Sequence, residues 1–116
     1  MGRVYTRKEL IAELAAASGN LREVSSSGDE RRFTDDRVFC YAVAFLWLRL
    51  AEPACQLVTR RLVGDRPALA WEGMCGIRNR LAHEREQDID FVKLWVDIPL
   101  MLDRTDAEVD RLLAAG

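Results

Sequence analysis

From Phe39 onward, apolar residues return in steps of four and three, at Phe39, Val43, Leu46, Leu50, Ala54 and Leu57. The flanks between them, Val38, Tyr41, Ala42, Phe45 and Leu48, are apolar as well. The period predicts a helix, and the width of its apolar surface predicts that it is covered on most sides. In a chain of 116 residues, the size of one ordinary domain, that cover comes from a bundle centre, a subunit interface, or both. Thr34 is placed to cap this helix, with Asp35 and Asp36 in its first turn where negative charge suits the dipole. Pro53 removes one helical hydrogen bond and predicts a kink, and Gly64-Asp65 predicts the end.

The remaining segments are helical too. Thr6 followed by Glu9 is a capping-box pattern, and Leu10, Leu14, Ala17 and Leu21 then recur at helical spacing, which predicts a helix from about Arg7 to Val24, weakened at Gly19-Asn20. The polar stretch from Ser25 to Glu30 has no apolar period and reads as a loop. Pro67 opens the way to a third helix from about Leu69 to Arg85. Asp88 or Asp90 then caps a fourth, whose stripe is Phe91, Val92, Trp95, Ile98 and Leu102, with Pro99 bending it and Ala107 to Ala114 continuing or restarting it. No segment alternates with a strand's period, and no repeat or linker divides the chain. The expectation is one all-α domain over residues 1–116, an antiparallel bundle of four or five helices, with homodimerisation as the way to cover the central helix.

Charge narrows the function only slightly. Seventeen basic against 19 acidic residues argue against coating nucleic acid indiscriminately, while a local basic patch can still hold a phosphate backbone. The run Val38 to Leu48 is shorter than the roughly 20 residues that span a bilayer, and MGRVYTRKEL has no apolar signal core, so no membrane association and a cytoplasmic location are expected. Cys40, Cys55 and Cys75 lie apart inside apolar runs without the paired short spacing of zinc sites and read as reduced core thiols. No metal or other cofactor is expected.

The stretch CGIRNRLAHER, Cys75 to Arg85, holds the only histidine of the chain beside three arginines and an asparagine. With about 100° per helical residue, and Arg78 taken as zero, Asn79 falls near ~100° and His83 near ~140°. Trp71, Met74, Ile77 and Leu81 cluster on the other side, which puts Arg78 at the edge of the apolar stripe. A guanidinium there asks for a polar or negative partner. Such groups suit metal-free cleavage of RNA: an imidazole takes a proton from a 2′-hydroxyl or gives one to the leaving oxygen, an arginine carries the phosphate charge, and an asparagine fixes geometry. A two-fold dimer would set two copies across one cleft and supply both acid and base. The same arginines also suit a solvated face paired with Glu72, Glu84 and Glu86.

The run WEGMCGIRNRLAHE, Trp71 to Glu84, resembles the signature of HEPN-domain proteins of the HepT toxin type, written around GxRNRLxHxY, which Arg78, Asn79 and His83 match in type and spacing. The Phe33-to-Leu57 helix and the segment DIDFVKLWVDIP resemble their counterparts more weakly. The resemblance implies a small helical homodimer acting as a metal-independent ribonuclease toxin, with Arg78 and His83 catalytic, Asn79 assisting, and a nucleotidyltransferase-type antitoxin as partner. In that family the antitoxin adenylylates the tyrosine two residues after the histidine. Here that position is Arg85, a departure that leaves the catalytic pair in place and opens the question of that mode of control; Arg80 and Arg85 are candidate RNA contacts. The competing expectation is a catalytically inactive dimer that binds RNA, a nucleotide or a partner protein. A third is an interaction module that the charged helix merely keeps soluble.

Overall fold

The computed structural model describes residues 3–64 and 73–115. Over these residues the chain is all-helical, with five α-helices and one 3-10 turn: α1 (Arg7–Ser25), α2 (Glu30–Asp35), α3 (Arg37–Thr59), α4 (Met74–His83), the turn Glu86–Asp88, and α5 (Phe91–Ala114). One apolar cluster draws on all five helices, and α3 lies against α1 and α4 while α5 lies against α1 and α2.

Helix α1 begins where its capping box predicts. The Thr6 hydroxyl accepts from the Glu9 amide at 3.1 Å and the Glu9 carboxylate accepts from the Thr6 amide at 3.0 Å, so two otherwise orphaned donors are satisfied. The weak Gly19-Asn20 pair does not break the helix. Leu21 beyond it is fully buried, and Ser18 before it donates to Asp106 of α5 at 2.6 Å, so tertiary anchors on both sides override local propensity.

The start of the central helix is corrected by the structure. Asp29, in the stretch that reads as loop, caps a short extra helix, α2, by accepting from the Arg32 amide at 2.9 Å. Thr34 is an interior residue of α2 whose hydroxyl donates to the Glu30 carbonyl at 2.9 Å, and it caps nothing. Asp36 caps α3, accepting from the Phe39 amide at 3.2 Å. That bond, with Arg32 nearby, holds the Asp36 carboxyl below its usual range against an opposing effect of burial. The reason α2 forms is apolar: Phe33 is buried, stacked on Trp95 with ring centroids 5.0 Å apart and edge-on to Phe39. The Phe39 ring also crosses the α1–α2 connection so closely that a Cβ at Gly28 would lie 2.7 Å from it, which leaves no room for any larger residue.

Helix α3 buries Phe39, Val43, Trp47, Leu50, Ala54 and Leu57 and runs on through Pro53. By length and composition it is apolar enough to cross a bilayer, unlike the shorter run read in sequence, yet it is a core element of this fold, with Val43, Leu50, Ala51, Ala54 and Leu57 fully buried. It ends at Thr59, five residues before Gly64, because the chain turns earlier. The Leu62 amide donates to the Leu57 carbonyl at 2.9 Å and the Arg61 amide to that of Val58 at 3.1 Å, with Arg61 at φ 55°. This is a Schellman closure with arginine where glycine is usual. Arg61→Gly is therefore expected to raise stability by about 0.5–1 kcal/mol, read as a later urea midpoint with unchanged slope. An earlier midpoint would show that the Arg61 side chain contributes more than its backbone costs.

Helix α4 ends at His83, two residues before the expected Arg85. Its expected start at Leu69, the Pro67 entry and Trp71 of its stripe lie outside the described residues. Asp90, rather than Asp88, caps α5 by accepting from the Lys93 amide at 3.1 Å. Helix α5 then continues through Pro99 to Ala114 without a restart at Ala107. Its buried stripe of Ile98, Leu102, Val109 and Leu112 holds that length together, and Arg111 braces it by pairing with Glu108 and donating to the Val63 carbonyl at 3.4 Å.

Candidate functional site

Met74 anchors α4 in the core, with Ile77 and Leu81 half-buried behind it, and this seats the helix on α3. The consequence is the face expected from the helical angles. Asn79 and His83 stand exposed one turn apart, while Arg78 is half-buried at the margin of the apolar stripe. Its Nε is buried and has no hydrogen-bond partner among the described residues. Such a donor is costly to leave unmatched, so the position calls for an acceptor.

Arg80 and Arg85 fall elsewhere. Arg80 lines a cleft of about 240 Å³ with Ile77, Leu81 and Leu94, and Arg78, Asn79 and His83 do not line it. Three aspartates, Asp88, Asp90 and Asp97, share that cleft with Arg80 and Lys93, and Lys93 is already bonded to Asp97 at 2.9 Å. The surroundings of Arg80 are thus mixed in charge, unlike a plain phosphate track. Arg85 is exposed beyond the helix end, leading into the 3-10 turn. Among the described residues no group of three or more histidine, cysteine, aspartate or glutamate side chains is arranged to hold a metal ion.

Two features had no sequence signal. The first is Tyr41, which lies far from the histidine in the chain, yet its phenol faces the Glu86 carboxylate three residues beyond His83. That carboxylate, acting as an acceptor, holds the phenol above its ordinary pKa, with burial adding to the effect. The thiol of neighbouring Cys40 is also raised, first by burial and then by the same Glu86 charge. The amino-terminal part of α3 therefore lies near the turn that follows α4. The second is a disulfide between Cys55 and Cys75, which corrects the reading of all three cysteines as reduced thiols. Packing of α4 on α3 brings the two Cα atoms to 4.8 Å, inside the range a disulfide spans, and Cys40 alone is free.

Comparison with known proteins adds no relative. No family model matches the chain, and neither the curated proteins nor the solved structures yield a match.

Proposed function

We propose that the chain is a metal-independent endoribonuclease of the HepT-like HEPN type, an antiparallel helical bundle that works as a homodimer in the cytoplasm. The observation that carries this reading is the arrangement on α4: a half-buried arginine whose buried Nε has no hydrogen-bond partner among the described residues, with an exposed asparagine and histidine one turn apart, in the spacing of the family signature. A phosphate oxygen is an acceptor that would satisfy Arg78, and the long arginine side chain can swing toward the face that Asn79 and His83 share, where an imidazole would serve the adjoining 2′-hydroxyl. Exposed apolar residues favour a second copy: Val38, Tyr41 and Phe45 share one face of α3, and Val92, Val96 and Leu100 share one face of α5. A nucleotidyltransferase-type antitoxin is the proposed partner, with control that does not use the tyrosine replaced by Arg85.

The test is incubation of the purified protein with mixed short RNAs in the presence of a metal chelator. Discrete fragments are the expected result. An intact RNA pool, with the protein folded, would overturn the nuclease reading. Arg85 itself favours a second reading, a catalytically inactive dimer that binds RNA, a nucleotide or a partner protein. Retention of labelled RNA without fragments, weakening steeply as salt rises, would select it.

A further inference from the structure

The Cys55–Cys75 bond ties the candidate site helix to the core helix at one end. Cys75 is the second residue of α4, three positions before Arg78, and Cys55 lies in the carboxy-terminal half of α3. Among the described residues α4 otherwise docks on α3 by packing alone. Met74 is its one fully buried residue, Ile77 and Leu81 are half-buried, and Gly73 at its start provides no side-chain cap. The covalent tie at the first turn adds to this packing and acts closest to Arg78, three positions on. The two sulfurs also differ in access, since Cys55 is 4% exposed and Cys75 only half-buried.

We propose that Cys55 and Cys75 form a reversible redox clasp that docks α4 on α3 when oxidised and loosens α4, and no other helix, when reduced. The chemistry balances with a dithiol as reductant and a disulfide such as oxidised glutathione as oxidant. In reduction, an incoming thiolate attacks the more accessible Cys75 sulfur and expels the Cys55 thiolate, which takes up a proton. The second thiol of the reductant then attacks its own sulfur in the mixed disulfide, releasing Cys75 and closing the reductant's own disulfide. In oxidation, the Cys75 thiolate attacks oxidised glutathione and expels one glutathione thiolate. The Cys55 thiolate then attacks the Cys75 sulfur and expels the second, so one disulfide is exchanged for another. The positive end of the α4 dipole favours the negative charge that Cys75 carries in these steps. In a reducing compartment disulfides are most often transient and sensing rather than structural, which fits a link placed beside a site.

The docking effect stands apart from the nuclease reading, while its consequence for cleavage rests on it. The experiment is amide hydrogen exchange on the whole protein, equilibrated either with oxidised glutathione or with a dithiol, with mass spectrometry counting free thiols in each sample. The expected result is one free thiol after oxidation and three after reduction, with at least a tenfold faster exchange across α4 on reduction and α1, α3 and α5 unchanged. Cys75→Ser is expected to exchange like the reduced protein under both conditions, and if that variant fails to fold the wild-type comparison still decides. Three free thiols after oxidation, unchanged exchange in α4, or acceleration spread evenly over all helices would each overturn the clasp. Cleavage of RNA measured in the same two samples separates the readings: a change in α4 exchange with no cleavage in either state sinks the nuclease assignment and leaves the clasp standing.

Discussion

Trp47→Ala is expected to remove about 3–5 kcal/mol of stability, a large part of the roughly 5–15 kcal/mol that holds a domain of this size together. The Trp47 side chain is 1% exposed, the largest of the fully buried side chains, and sits on α3 where α5 passes. Its indole nitrogen donates to the Leu94 carbonyl at 3.1 Å, so alanine loses both the apolar contacts of the ring system and a bond between two helices. The thermal midpoint should fall by more than about 10 °C. Trp47→Phe separates the two contributions. It keeps most of the ring volume and forfeits the bond, so it is expected to cost roughly 1–2 kcal/mol from the hydrogen bond and a small cavity together. Urea unfolding of the three proteins measures both steps. A loss below about 1 kcal/mol for alanine would show that the α3–α5 contact is not the load-carrying part of the core.

Trp47 also shows how a correct helix and a nearly correct face can be read with the largest core residue missed. The apolar period of α3 is legible, but with apolar residues on every side the period leaves a choice between Leu46 and Trp47 after Val43. The structure buries Trp47 and leaves Leu46 half-buried. Helix α2 escaped because six residues are too few to show a period. The cluster Asp29 to Asp36 holds several residues able to cap a helix, and only the stacking of Phe33 on Trp95 decides which of them do. Asp36 does not differ from Thr34 in local sequence preference; it differs in where Phe39 must point. The site divides in the same way. Angles along one helix are local, so the shared face of Asn79 and His83 and the marginal position of Arg78 were legible. What α4 meets is not local: the Cys55–Cys75 bond, the carboxylates around Arg80 and the approach of Tyr41 to Glu86 all depend on how α4 is laid against α3 and on where the chain runs after it. A separation of 20 between two cysteines carries no sign of pairing by itself.

His83→Ala is expected to lower RNA cleavage by about 10²–10⁴-fold, the range over which a single general acid or base acts. Stability should change by no more than about 0.5 kcal/mol, since His83 is exposed at the end of α4 and its side chain makes no hydrogen bond among the described residues. This pairing of a large kinetic effect with a small structural one is the reason to place the strongest test here and not at Arg78. Arg78 is half-buried, so Arg78→Ala removes packing by its aliphatic stem along with its charge. Arg78→Lys is the sharper change: it keeps a positive charge but replaces the planar fork, including the buried Nε, with a single ammonium, and a substantial fall in cleavage would show that the fork itself is used. One histidine per chain must serve both proton transfers by turns or share them with a second copy. Co-refolding wild type with His83→Ala tells these apart. If each copy works alone, activity falls in proportion to the wild-type chains; if the acid and base come from two copies, mixed dimers are silent and activity falls further. Full activity in His83→Ala would remove the imidazole from the mechanism, and with it the assignment to the HEPN type.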